Sequence, residues 1–233
     1  MIMKYKDPGI IDVRLMNEKE RSFYFHEMAG GSRLLELLLC TCFNYKIVPS
    51  VASGGNVSSN AYIMVLVEQG NLDIVGRLID LVMEIPGCEF RIRTMKHEKM
   101  YAELSCDFSN SDYLFTRMKE IIEESRIEVN KHHNYTVMMT IYNIFKIVSS
   151  IIEADLIFTT NDNLYTQGKC FISFYQGNQI NRLSSRKKGD INLAIQNLKE
   201  TASINLPAAF CCTFEELRSF YFELDEAVYG SDE

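Results

Sequence analysis

Apolar and polar positions alternate along CEFRIRTMKHEKMYAELSCDF, residues 88–108, on either side of a short charged tip. A period of two on both sides of a turn predicts a two-stranded antiparallel ribbon with one buried and one wet face. Pairing Ile92 with Ala102 leaves 95–99 as the loop and sets Phe90 opposite Leu104, Arg91 opposite Glu103 and Cys88 opposite Cys106. Phe90, Ile92, Ala102, Leu104 and Phe108 then share the apolar face, and Glu89, Arg91, Arg93, Tyr101, Glu103 and Asp107 the wet one.

The flanks change the period. AYIMVLVEQ (61–69) is an apolar, β-favouring run that predicts a central strand. In NLDIVGRLIDLVMEI (71–85) Leu72, Val75, Leu78, Ile79 and Val82 recur at helical spacing, with Asn71 or Asp73 to cap the start and Pro86-Gly87 to stop it. After the ribbon, SNSDYLFTRMKEIIEES (109–125) carries the stripe Leu114, Phe115, Met118, Ile121 and Ile122, with Ser109 and Asp112 spaced as a capping box. Strand, helix, ribbon, helix is most of a ferredoxin-like β-α-β-β-α-β unit.

The same order is legible downstream. NYTVMMTIY (134–142) predicts a strand, 143–154 a helix, LIFTTNDNLYTQGKCFISFY (156–175) a second ribbon, and DINLAIQNLKETA (190–202) a capped helix. Residues 17–43 predict a helix broken at Gly30-Gly31 and restarted with Ser32 as cap, and 212–228 a helix opened by a Thr213/Glu216 capping box. VPSVASGGNVSSN (48–60) has linker composition. The expected fold class is α+β: two ferredoxin-like β-α-β-β-α units, with helices on one face of antiparallel sheets. The corresponding domains are 1–130 and 131–233, an internal repeat of architecture. The pattern leaves open whether the two sheets are separate or joined.

Composition adds limits. A chain of 233 residues with 47% apolar content can bury a core without a metal or disulfide staple. The net charge of −7 argues against general nucleic-acid or anionic-membrane binding. No segment reaches the roughly 20 apolar residues of a membrane span. The seven cysteines are odd in number and irregularly spaced, and lack the paired C-x2-C of a zinc site, so thiols and a cytoplasmic location are expected.

Catalytic signatures are missing: there is no G-x-S-x-G, H-E-x-x-H, Walker A or G-x-G-x-x-G. His26 beside Glu27 is the one pairing suggestive of acid–base work, while His97, His132 and His133 fall at loops. No cofactor or metal is expected, and an enzyme is the least favoured class. The binding candidates are Gly54, Gly55 and Asn56, whose loop can present N–H groups to an anion; Gly70 at a strand-to-helix turn; Arg91, Arg93 and Tyr101 on the wet face of the ribbon; and Phe171 and Tyr175 near the basic RLSSRKK (182–188). A ribbon with no chemistry attached suits strand addition, by a target peptide or a second copy in a homodimer, or a ligand held between two sheets.

The order DIVGRLIDLV, KMYAELSCDFSNSDYLFTRMKEIIEES, with TIYNIFKIVSSII, NLYTQGKCFISFY and INLAIQNLKE behind it, resembles the MecA family of bacterial proteolysis adaptors. That resemblance is one of element order, not of signature residues. It implies a non-catalytic cytoplasmic adaptor, a regulatory protein that binds other proteins and delivers substrates to a Clp-type AAA+ unfoldase. The β-α-β-β-α order and Gly70 also resemble paired ACT domains, which imply a small-ligand-sensing regulatory module. Joined sheets would present one continuous surface and weaken the adaptor reading.

Overall fold

The ribbon forms in the register its alternation requires. The computed structural model describes residues 12–95, 98–125, 133–152, 155–175 and 208–229. In it β3 (Glu89–Met95) pairs antiparallel with β4 (Lys99–Cys106), Ile92 opposite Ala102 and Arg91 opposite Glu103. Phe90, Ile92, Ala102 and Leu104 are fully buried. Two expectations fail at its margins. The strand ends at Cys106, so parity no longer governs Phe108, which lies in a 3-10 turn (Phe108–Asn110) and is 42% exposed. Tyr101, expected to be wet, is only 3% exposed, because it is the cross-strand neighbour of Leu66 and bonds through its hydroxyl to Ser50.

β2 (Ala61–Val67) lies beside β4 as a buried interior strand. β1 (Pro49–Ser53) forms inside the stretch that reads as a linker. Its proline and the register shift between Pro49 and Val51 suit an edge, where a missing N–H costs no ladder bond. The helix expected over 71–85 breaks into α3 (Leu72–Leu78) and α4 (Leu81–Glu84). Asn71 does not cap it: its side chain turns back, accepting from the Glu68 N–H and donating to the Leu66 carbonyl. Nor does the Ser109/Asp112 box form, since α5 (Ser111–Glu124) starts two residues later with no side-chain cap.

The second half departs further. The strand expected at 134–142 is helical: α6 (His133–Ile147) runs through it and continues as a π turn, Val148–Ile152. Met138, Ile141, Ile144, Phe145 and Val148 are all buried, a period of three to four sustained well beyond strand length. β-branched residues in the first turns are overridden by packing. β5 (Asp155–Asn161) and β6 (Lys169–Tyr175) make the second ribbon, whose tip is a short helix, α7 (Asp162–Thr166), capped by Asn161. β7 (Ala208–Thr213) was not expected; it leads into α8 (Phe214–Tyr229), whose Thr213/Glu216 capping box forms as read. The helix expected at 190–202 and the basic run at 182–188 lie outside the described residues.

All seven strands join one antiparallel sheet in the order β1-β2-β4-β3-β5-β6-β7. The first half keeps the order β2-α3-β3-β4-α5, whereas in the second a helix, α6, stands where an opening strand was expected. β3 pairs with β5, Ile92 opposite Phe158, so the sheet runs unbroken across the boundary drawn at 130/131. On one face α1 (Glu18–Ala29), α2 (Arg33–Asn44), α5, α3, α6 and α8 pack side by side in that order. The break between α1 and α2 is as read: Gly30 and Gly31 have positive φ, and Ser32 Oγ accepts from the Leu35 N–H. Phe90, Phe115, Phe158, Phe174 and Phe220 are fully buried under this layer, each worth about 1.5–3 kcal/mol. Phe90 and Phe158 meet edge to face across the β3–β5 seam, centroids 6.4 Å apart. Among the described residues, no helix is long and apolar enough to cross a membrane.

Candidate binding site

The sheet face opposite the helix layer carries the polar positions of the strands. One row across it, set by register, runs Met64, Glu103, Arg91, Thr159, Phe171, Cys211. Within it the Glu103 carboxylate, largely buried, lies 2.5 Å from Arg93 Nη2 and 3.7 Å from Arg91 Nη1, and Arg91 Nη2 lies 2.9 Å from Glu89. Two arginines and two glutamates thus form a neutral, half-buried ladder over the middle strands. Arg93 Nε is buried with no hydrogen-bond partner among the described residues, while its Nη2 is paired with Glu103. Of the residues singled out from sequence, Arg91, Arg93 and Phe171 are gathered on this face. Tyr101 lies on the same face beside Arg93 but is closed off, and burial raises its phenol. Tyr175 ends β6 opposite Asp155, away from the ladder.

Gly54 and Gly55 are elsewhere. They floor a cleft of about 540 Å³ between the start of α2, the end of α1, the loop after β1 and the start of α5. Its walls include Met28, Ser32, Arg33, Leu34, Phe108 and Ser111, with Asp112 beside them. Close approach dictates both glycines. A Cβ on Gly54 would meet Ser32 Cβ at 3.3 Å, and Gly55, at φ 71°, would put one 2.7 Å from the Ala61 nitrogen. Asn56 is exposed and spends its Oδ1 on the N–H and hydroxyl of Ser58. Gly70 sits exposed in a 3-10 turn with nothing within 4 Å of where a Cβ would stand.

A third polar cluster had no sequence signal. Asn134 Nδ2 donates to Asp80 Oδ1 (2.7 Å) and to the Tyr165 hydroxyl (2.9 Å), and that hydroxyl donates to Asp80 Oδ1 (2.7 Å). The three come from the α3–α4 junction, the start of α6 and α7. Tyr165 also meets Phe214 edge on at 5.9 Å, and burial pushes its phenol up to about 12. The cluster ties three segments together through one shared set of hydrogen bonds, so it is a clasp.

Reactive groups are poorly placed for chemistry. His26 Nδ1 lies 3.2 Å from Glu36 on the surface, not in a pairing with Glu27. Burial pushes the Cys42 and Cys88 thiols up to about 12 and Cys106 to about 11, and a protonated thiol is a weak nucleophile. Cys170 and Cys212 face each other at 3.7 Å across β6 and β7, and their mutual hydrogen bond and burial raise Cys170 further. All seven cysteines are free thiols. Among the described residues no group of three His, Cys, Asp or Glu side chains could hold a metal ion.

No family model, curated protein or solved structure matches the chain. Its sites are therefore read from their own chemistry. Arg33, Ser111 and Asp112, on the cleft walls, were not singled out from sequence as binding residues. The available signal was that two helix starts follow tight turns, one of them with an unusual Gly-Gly.

Proposed function

We propose that the chain is a non-catalytic regulatory protein that binds another protein through the sheet face opposite the α1–α2–α5–α3–α6–α8 layer. The observation that carries this reading is the Glu89–Arg91–Glu103–Arg93 ladder, half-buried and flanked in its own row by Phe171. A plain solvated sheet face would have its charges extended into water. A face whose charges are mutually neutralised and packed among Met64, Thr159 and Phe171 is cheaper to desolvate against a partner, and alternating charges fix the register of what docks.

Delivery of substrates to an AAA+ unfoldase is the finer form of this reading and rests on the resemblance in element order. The continuous sheet counts against it, because the two halves are not presented as independent units. The test is a pull-down from a Gram-positive lysate with the tagged full chain and its Arg91→Glu/Arg93→Glu variant, read by mass spectrometry. A protein recovered in stoichiometric amount by the parent and lost by the variant supports surface binding; if it is an unfoldase, the adaptor form stands. Identical recoveries from both baits would sink the reading. The small-ligand alternative is favoured by a different observation, the cleft beside α2.

A further inference from the structure

We propose that Cys170 and Cys212 form a reversible modification site, a dithiol that a small hydroperoxide oxidises to an intramolecular disulfide tying the outer strand β7 to β6. The inference does not depend on the sheet-face reading.

Of the seven free thiols, these two are in contact, sulfur to sulfur at 3.7 Å, within the core between sheet and helices. Register explains the contact. Cys170 and Cys212 are directly opposed in the β6–β7 ladder. The Phe214 N–H donates to the Gly168 carbonyl at 2.9 Å, so Gly168 and Phe214 face each other as a hydrogen-bonded pair. Bonded and non-bonded pairs alternate along an antiparallel ladder. Two residues further in, Cys170 and Cys212 are again a bonded pair, with Cα atoms about 5.5 Å apart. A disulfide spans Cα separations of roughly 4.4–6.8 Å, so the bond can form with the strand register kept.

A second pair supplies the contrast. Cys88 and Cys106 extend the β3–β4 register as opposed residues and are equally buried, yet their thiols make no hydrogen bond to each other. Burial and opposition do not by themselves bring two sulfurs together. At Cys170 and Cys212 they are together before any oxidant arrives.

The chemistry uses two electrons from the two thiols. One sulfur, as thiolate, attacks a peroxide oxygen and the O–O bond breaks, giving a sulfenic acid and hydroxide, which takes up the proton that the thiol released. The second sulfur attacks the sulfenic sulfur, the S–O bond breaks, and hydroxide leaves with the second thiol's proton as water. Two thiols and one hydrogen peroxide become one disulfide and two waters. A dithiol reductant returns the two electrons and the protons by exchange.

Position in the fold sets the pace. The pair is buried, Cys170 wholly and Cys212 nearly so, and the hydrogen bond with Cys212 together with burial holds the proton on Cys170. The thiols are therefore quiet while the strand is closed. β7 is the last strand in the sheet order, paired through β6, and such outer elements open locally more readily than interior strands. Oxidation proceeds through that opening, and the disulfide then holds β7 and the start of α8 against β6.

The experiment treats the reduced full chain with hydrogen peroxide, unfolds it, alkylates the remaining thiols and maps the unreduced peptides by mass spectrometry. A Cys170–Cys212 peptide pair, lighter by two hydrogens than its separate parts, is expected as the main crosslink and is lost on adding dithiothreitol. Cys88 and Cys106 should remain alkylatable. In Cys170→Ala the crosslink is absent and dimedone should trap Cys212 as its sulfenic acid. Hydrogen exchange of the Ala208–Thr213 amides should slow in the oxidised chain. The same oxidation in urea shows how the cysteines pair without the fold. A native crosslink pattern equal to that in urea, or one led by Cys88–Cys106 or Cys211–Cys212, would overturn the proposal. So would a Cys170–Cys212 disulfide that leaves exchange in β7 unchanged.

Discussion

Gly76 lies against the backbone of Asn134: a Cβ at Gly76 would stand 3.0 Å from both the carbonyl carbon and the oxygen of Asn134. One turn further along, Asp80 receives the Asn134 side chain at 2.7 Å. The missing side chain and the hydrogen bond together bring α3 and α6 into contact, and these helices belong to opposite halves of the chain.

Gly76→Ala weighs two effects of opposite sign. Alanine gains about 1 kcal/mol of helix propensity over glycine. Against it, a methyl forced onto backbone atoms that cannot rotate away costs about 1–3 kcal/mol. Overpacking should win, and the variant should be less stable than the parent by about 1 kcal/mol or more in urea unfolding. An increase in stability would mean that the helices separate easily and that the close approach is incidental.

Tyr165→Phe removes the hydroxyl that donates to Asp80 and accepts from Asn134. A loss of about 1–3 kcal/mol is expected, as for a buried polar group deprived of its partner. Because the three side chains form one network, Tyr165→Phe and Asn134→Ala should be non-additive, with a coupling of about 0.5 kcal/mol or more in a double-mutant cycle. Simple additivity would show that the clasp is two unrelated contacts.

The parts legible in sequence were those where one period governs a whole element. The β3–β4 register, the Ser32 cap, the α5 stripe and the Thr213/Glu216 box all follow from spacings within about fifteen residues. The failures share a cause, which is that the deciding contacts are distant in sequence. Val137 and Tyr135 suit a strand locally, but α6 buries Met138, Ile141 and Phe145 between α3 and α8. β1 looks like a linker because an edge strand needs only one partner, and that partner, β2, supplies the order. The site residues divide likewise. Arg91 and Arg93 share a face by strand parity alone. The meeting of Gly54, Arg33 and Ser111 requires three loops to converge, which no local pattern announces.

Alkaline pH should destabilise the protein earlier than its tyrosines alone would suggest. Burial raises Cys42 and Cys88 to about 12 and Cys106 to about 11 from an ordinary 9.0, and Tyr165 to about 12 from 10.0. Each group holds its proton longer in the folded state. The unfolded chain therefore releases protons first, and stability falls as pH rises. The contribution is intact below about pH 9 and declines through about pH 12. Urea midpoints measured under reductant should drop between about pH 8 and pH 10.5, and Cys42→Ala/Cys88→Ala/Cys106→Ala should flatten that slope. A midpoint constant over this range would contradict the burial of these thiols.

Thr94 tests whether the two halves stand or fall together. Its hydroxyl donates to Asp155 Oδ1 at 2.9 Å and accepts the Leu156 N–H at 2.7 Å, so one side chain bonds both the first carboxylate and the second amide of β5. It sits at the end of the β3–β5 ladder, the strand pairing that makes seven strands a single sheet. Thr94→Val keeps the shape and removes both bonds in a buried setting, at a cost of about 1–3 kcal/mol, whereas Thr94→Ser retains the hydroxyl and should cost less. If the sheet is one cooperative unit, the valine variant shifts a single unfolding transition to lower temperature with its calorimetric and van't Hoff enthalpies still equal. Were the halves separate folding units, the same substitution would leave one transition in place and move or split the other. The Phe90–Phe158 contact lies on the same seam, and the α3–α6 contact lies above it in the helix layer. A single shifted transition is therefore the expected result.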